Sequence, residues 1–263
     1  MWSDLTKIVR VSPNCSSREG RKIERITVHH TAGKATAEEL LAQFADPARR
    51  ASANYCIGNN GVIGGCVPEQ FRSWCSGSWE NDTRSICIEV SNDVNGEPWS
   101  IGKKAWNAAV ELCVDICLRY GFFLWWNPDK KTGSLTCHRW YQATACPGDW
   151  FYSRIPEFIE EVNRKVTDIL NQIDTLNKRV NALEAENSKL VKRLIEVEDK
   201  VAVVDERTEV KYHTVKEVPD WARPTIEKLV KKGYIKGDEK NLGLTYELTR
   251  ELVINDRAGV FDL

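Results

Sequence analysis

Ser85-Ile86-Cys87-Ile88-Glu89-Val90 is apolar except at its first residue and at Glu89. A run this apolar reads as a strand lying centrally in a sheet that is covered on both faces. Glu89 is the exception that needs a reason, because a carboxylate in such a strand is costly unless it is paired or does chemistry. The structural alternative is an ion pair with Arg72 or Arg84. Upstream, Arg25-Ile26-Thr27-Val28-His29-His30-Thr31 alternates polar and apolar, the mark of a second strand, and brings a histidine to the end of the sheet. Between the two, Thr36-Ala37-Glu38-Glu39 has the form of a capping box, with Leu40, Leu41 and Phe44 as the buried face of a helix that Asp46-Pro47 stops. Residues 53–58 and 61–64 flank Asn59-Asn60-Gly61, a hairpin signal. Downstream, Ser100 is placed to cap a long helix. Trp106, Ala109, Val110, Cys113, Ile116, Cys117 and Tyr120 recur in it at helical spacing, and Gly121 ends it. Strands mixed with helices of this length predict an α/β domain: a mixed central β-sheet flanked by helices in three layers.

The whole chain sets the bounds. At 263 residues it has room for one large or two small domains. Lys plus Arg number 37 against 38 for Asp plus Glu, a net charge of -1, which excludes a nucleic-acid footprint. No stretch approaches a membrane span and residues 1–30 hold no apolar run fit for a signal peptide, so the expectation is a chain made and folded in the cytoplasm, with no membrane partner. Nine cysteines, odd in number and without close pairs, fit a reducing compartment better than a disulfide scaffold.

The chemistry concentrates in Thr136-Cys137-His138-Arg139-Trp140-Tyr141-Gln142-Ala143-Thr144-Ala145-Cys146-Pro147-Gly148. It offers an imidazole and a thiol that ends in a Cys-Pro-Gly turn. Together with a histidine from the 25–31 strand, His138 and Cys146 make a sufficient set for a catalytic zinc that leaves one position to water. The plain alternative is packing, since lone histidines and buried cysteines are usually core.

Four segments in order, ITVHHTAG (26–33), ASANYCIGNNGVIG (51–64), RSICIEVSND (84–93) and CHRWYQATACPG (137–148), resemble the type 2 N-acetylmuramoyl-L-alanine amidases, whose fold is shared with peptidoglycan recognition proteins. The likeness covers roughly residues 20 to 165. It implies Zn2+ on His29, His138 and Cys146, with His29 rather than His30 as the ligand. It implies Glu89 as the base that takes a proton from the zinc-activated water. Thr144 matches a position where relatives place a lysine or threonine near the oxyanion. A tyrosine that some relatives use in catalysis is replaced here by Ala53, and a Trp-His-Ala-Gly loop reads Trp74-Cys75-Ser76-Gly77. Trp74, Trp79 and Tyr55 are carried as candidate substrate contacts, although Tyr55 is read as core before catalytic; Trp106 and Trp140 are read as packing. The implied activity is hydrolysis of the bond between N-acetylmuramic acid and L-alanine in bacterial peptidoglycan, as an endolysin of a phage or prophage of a Gram-positive host. The alternative is a non-catalytic peptidoglycan receptor on the same fold.

A helix from about Pro156 closes the domain and runs into heptads. Val162, Val166, Ile169, Ile173, Leu176, Val180, Leu183, Asn187, Leu190, Leu194, Val197, Val201 and Val204 alternate in steps of four and three. Val166, Ile173, Val180 and Val201 at a, with Leu176, Leu183 and Leu190 at d, favour two parallel strands, and Asn187 at a favours the same register. Arg179 with Glu184, Arg193 with Glu198 and Lys200 with Asp205 can pair across such a homodimer. A single amphipathic linker helix is the alternative, for which the stripe is narrow. Beyond it, Trp221, Ile226, Leu229, Gly233, Ile235, Gly237, Leu244, Thr245 and Arg250 resemble a single S-layer-homology-like repeat and the C-terminal units of amidases from Gram-positive phages. The expected division is 1–163 as the catalytic domain, 164–210 as a coiled-coil stalk, and 211–263 as a small helical wall-binding domain. Two short helices are expected in the last, Thr225 to Lys232 and Thr245 to Arg257.

Overall fold

The computed structural model describes residues 2–236 and 241–262, with the side chains of 202–208 excepted. Val204, Asp205 and Gly237 therefore lie outside the described side chains and residues. The chain divides into two compact units, Met1–Thr175 and Leu176–Leu263.

The first unit runs β1 (Ile8–Val9), β2 (Cys15–Ser17), β3 (Arg25–His30), α1 (Ala37–Phe44), β4 (Tyr55–Ile57), β5 (Ile63–Gly65), β6 (Phe71–Ser73), α2 (Trp79–Asp82), β7 (Ser85–Val90), α3 (Lys103–Tyr120), β8 (Trp126–Asn127), β9 (Thr132–Gly133), β10 (Leu135–Cys137), α4 (Asp149–Tyr152) and the start of α5 (Ile155–Thr208). Six strands form one sheet in the order β1-β5-β4-β7-β3-β10. All neighbours in it are parallel except β4 and β5, which form the hairpin that Asn59-Asn60-Gly61 announced. The sheet is thus mixed, as expected, and β7 is central.

Strand alternation sorts the side chains into two layers. Ile26, Val28, Tyr55, Ile57, Ile86, Ile88 and Val90 join a core with α3 and the first turns of α5. Cys56 and Cys87 pack on the other face with Leu40, Leu41 and Phe44 of α1. The α1 capping box forms, Thr36 accepting from the Glu39 amide while the Glu39 side chain accepts from the Thr36 amide. Gly121 ends α3 with φ 73°, a left-handed conformation that glycine adopts without a Cβ penalty. The start of α3 corrects the sequence reading. Its N-cap is Gly102, and Ser100 instead gives its hydroxyl to Asp93 at 2.5 Å. The nine cysteines are free thiols, and Cys113 and Cys117 are core residues of α3.

Helix α5 spans 54 residues without a break. Val162 and Val166, the first two members of the heptad stripe, are buried in the core of the first unit. From Ile173 to Val201 the seam residues Ile173, Leu176, Val180, Leu183, Leu190, Leu194, Val197 and Val201 are 45% to 58% exposed, uncovered by any of the described residues. In the second unit β11 (Val210–Tyr212) pairs antiparallel with β12 (Leu244–Thr245), beside α6 (Arg223–Lys231) and α7 (Tyr246–Arg257). Val218, Ala222, Ile226, Leu242, Leu244 and Val253 form its small core, and Thr245 caps α7 by accepting from the Leu248 amide. No described helix is long and apolar enough to cross a membrane.

Candidate metal centre and active site

Strands β3 and β7 are parallel with His29 opposite Glu89, so imidazole and carboxylate stand side by side at the ends of neighbouring strands and on one face. On the other side of β3, β10 ends at Cys137 opposite Val28, and the chain turns directly into a short 3-10 helix, His138–Trp140. His138 thereby meets His29, with ring centroids 4.8 Å apart.

Cys146 reaches the same place by a loop that Arg139 ties back. The Arg139 amide and guanidinium both donate to the Cys146 carbonyl, at 3.2 and 3.3 Å, and its Nη2 donates to the Ala145 carbonyl at 2.5 Å. The turn closes at Gly148, where φ is 79° and a Cβ would come within 3.2 Å of the His30 ring. A side chain there would be strained by the backbone and crowded by the imidazole. The Cys146 Sγ ends 3.4 Å from His29 Nδ1. The metal-binding atoms of His29, His138 and Cys146 lie within 4.8 Å of one another.

These residues suit a metal ion on two counts. His29 Nε2 is buried without a hydrogen-bond partner among the described residues, an expensive state unless the ring has another use. Burial, reinforced by neighbouring His138 and His30, pushes the His29 pKa down to about 3, and burial lowers His138 as well. Both rings are therefore neutral at ordinary pH and offer a lone pair. Burial raises Cys146 in the absence of a cation, so ligation would displace its proton.

Glu89 lines the same cleft, of about 470 Å³, together with Arg49, Trp74, Cys75, Trp99 and Thr144. Burial raises its pKa to about 7, and the positive charge of Arg49 works in the opposite sense. Neither Arg72 nor Arg84 is its partner. Arg72 donates to Ser16 and Arg84 pairs with Glu24 and Glu80. A cavity of about 610 Å³ beside Phe123 and Trp125 is larger, but its lining carries no histidine, cysteine or buried base, so volume alone does not identify the site.

Residues 19–149 match the sequence profile of the N-acetylmuramoyl-L-alanine amidases. The N-terminal unit belongs to that family. No curated protein sequence matches the chain. Among solved structures, the amidase unit resembles the Staphylococcus aureus hydrolase AmiA in complex with its ligand, at 18% identity and TM-score 0.52, over 63% of this chain and 85% of that one. PlyL is 20% identical with TM-score 0.46, over 60% of this chain and 98% of that one. The N-acetylmuramoyl-L-alanine amidase LysC from Clostridium intestinale is 18% identical with TM-score 0.43, over 61% and 97%. At these identities the likeness is one of fold.

Within the amidase unit, His29, His138, Cys146, Glu89, Thr144 and Trp74 share the cleft. Two candidates do not. Tyr55 lies on the opposite face of the sheet, wholly buried, where its hydroxyl donates to Glu69 at 2.6 Å. Tyr55 is thus core, as read, but it does not share a face with Ala53, which lies before β4 and packs in the other cluster with Cys56 and Cys87. Tyr55→Phe is accordingly expected to leave wall hydrolysis unchanged and to lower unfolding free energy by about 1 kcal/mol, measured by urea titration. Trp79 is also away from the cleft, on α2, under the Arg21 guanidinium at 4.4 Å. His30 also lines the cleft, where it meets Trp99 edge-on at 5.3 Å, but it is outside the cluster of possible metal ligands. Sequence reasoning missed Arg49 and Trp99. Arg49 sits in a single 3-10 turn that reads only as a helix stop, and Trp99 takes a left-handed φ of 51° that no local pattern announces.

Proposed function

We propose that the amidase unit is a zinc-dependent enzyme that hydrolyses the amide between the lactyl group of N-acetylmuramic acid and L-alanine in bacterial peptidoglycan, and so acts as an endolysin. The observation that carries this reading is the convergence of His29, His138 and Cys146 beside a half-buried carboxylate whose pKa is about 7. His29, His138 and Cys146 are the residues that would hold zinc. When bound, such an ion acidifies water and acts as a Lewis acid on a carbonyl.

The remaining chemistry belongs to the chain. Glu89 accepts a proton from the attacking water as its oxygen bonds to the amide carbon, then delivers that proton to the departing alanine nitrogen as the C–N bond breaks. A pKa near 7 suits both halves of that exchange. Thr144 Oγ1 accepts from the Cys146 amide at 3.2 Å, which leaves the hydroxyl proton free to donate to the carbonyl oxygen. That help carries no charge, so it is smaller than a lysine would give. Trp74 anchors its indole nitrogen on Ser16 at 3.2 Å and offers a ring face at the cleft wall, suited to a sugar. Mass spectrometry of digested cell wall tests the bond assignment. The reading requires stem peptides with free L-alanine amino termini and glycan strands without new reducing ends. Binding without any cleavage would favour a receptor.

The exposed seam of α5 supports a parallel homodimer, because an apolar stripe of this length left in water is covered by a second copy. The charge pairs Arg179 with Glu184 and Arg193 with Glu198 would then flank it. In sedimentation equilibrium the full chain is expected to be a dimer, and Asn187→Leu to form trimers or tetramers, since a pair of asparagines at a favours two strands. A wild-type monomer contradicts the stalk. For residues 211–263 we propose wall binding. Deleting them should leave cleavage of soluble muropeptides intact while abolishing pelleting with insoluble wall.

A further inference from the structure

A second set of soft ligands lies one layer beneath the first. Cys87 stands two residues before Glu89 on the same face of β7, with no exposure. Cys75 follows β6 and reaches the cleft wall. The ligand atoms of His29, Cys75 and Cys87 lie within 4.8 Å of one another, the same spread as in the set with His138 and Cys146. Burial, and beside it the negative charge of Asp82, raise the Cys75 thiol, so it keeps its proton until a cation displaces it. The Cys75 Sγ donates to Asp82 Oδ1 at 3.3 Å, and Asp82 is held by the Ser76 amide and hydroxyl at 3.2 and 2.5 Å. Arg18, only 5% exposed, places its charge near Cys75 and keeps a buried Nη2 without a partner among the described residues.

We infer that His29, Cys75 and Cys87 form a second, inhibitory site for a thiophilic divalent cation, which competes with the His138 and Cys146 set for the single imidazole they share. The competition follows from electron counting. A neutral imidazole has one lone-pair nitrogen, so His29 serves one ion at a time. The preference follows from charge and softness. One imidazole and two thiolates around a dication sum to zero, which suits a buried place, whereas two imidazoles and one thiolate leave +1. Two sulfurs also favour a softer ion such as cadmium over zinc. On binding, each thiol releases its proton to solvent. An ion seated there removes His29 from the catalytic set, and the enzyme stops.

The inhibitory half of this inference rests on the amidase reading; the binding half does not. The test is cadmium titration of the full chain after chelation, followed by sulfur-to-cadmium charge-transfer absorbance, with a parallel titration of the zinc-restored enzyme followed by wall hydrolysis. Wild type should show the absorbance of two thiolates for the first ion bound, and hydrolysis should fall over the same range of cadmium. Cys87→Ala, whose side chain lies behind the cleft lining and outside the first donor set, should hydrolyse wall normally, give the absorbance of one thiolate, and need about tenfold more cadmium for the same inhibition. One thiolate per first ion in wild type, or identical titrations for wild type and Cys87→Ala, overturns the inference. Should Cys87→Ala fail to fold, Cys75→Ser replaces it in the absorbance titration with the same expected drop. If the protein proves inactive on wall, the absorbance still decides whether the site exists.

Discussion

Glu89→Gln is expected to lower kcat/KM for wall hydrolysis by about 100- to 10,000-fold, the range over which a positioned base accelerates proton transfer. Bound zinc should be unchanged, because the residue is a proton acceptor in this account and no ligand. The amide keeps the size of the carboxyl group and cannot take the proton. The pH dependence carries the same assignment. A base works only when ionised, so wild-type kcat/KM should rise as Glu89 ionises and level off above; burial sets that pKa at about 7 in the metal-free protein, and a cation bound beside it would lower it. A residual activity in Glu89→Gln that no longer rises across that range identifies the group. Stability should move the other way. Burial raises the folded-state pKa of Glu89 above its unfolded value, so the ionised form destabilises the fold. The cost begins as pH climbs past the unfolded value and is complete above about 7. Chelated Glu89→Gln should therefore melt above chelated wild type at pH values beyond that point, and together with it in acid. A variant that loses activity and also melts low would mean that Glu89 is a structural group.

The second large effect is expected at Cys146. Cys146→Ala removes the only thiolate from the first donor set and leaves two neutral imidazoles for a dication. Zinc affinity should fall by more than the 10- to 100-fold typical of losing a group that merely orients a ligand, and hydrolysis should fall below detection at zinc concentrations that saturate wild type. Cys146→Asp, which restores a negative oxygen ligand, should recover part of the affinity. Competition against a colorimetric chelator gives the binding constants without any activity measurement. Because Arg139 holds this loop through the carbonyls of Ala145 and Cys146, the backbone should survive either change, and the circular dichroism of the variants should match wild type.

These two residues were legible in the sequence for different reasons. Glu89 interrupts an apolar strand, and that contradiction is visible wherever the strand lies. Cys146 was legible through its turn and through resemblance, since a separation of eight positions from His138 fixes no geometry by itself. Local signals carried well: the Thr36 and Glu39 capping box, the Gly121 helix end and the long helix of α5 all depend on neighbours within one or two turns. What failed depended on distant partners. Ser100 lost its capping role to Asp93. The closeness of Cys75 and Cys87 could not be read at all. Their spacing resembles no metal motif, and only the approach of β6 to β7 next to His29 brings the thiols together.

The account turns on one claim, that the cleft between β3, β7 and the 138–148 loop is a zinc amidase site. New L-alanine amino termini released from purified Gram-positive wall measure it most directly, with the full chain untreated, chelated, and chelated then returned to zinc. The account predicts termini from the untreated protein, none after chelation, and their return with zinc. Termini that persist undiminished in the chelated protein, or that never form while the protein pellets with wall, would contradict it.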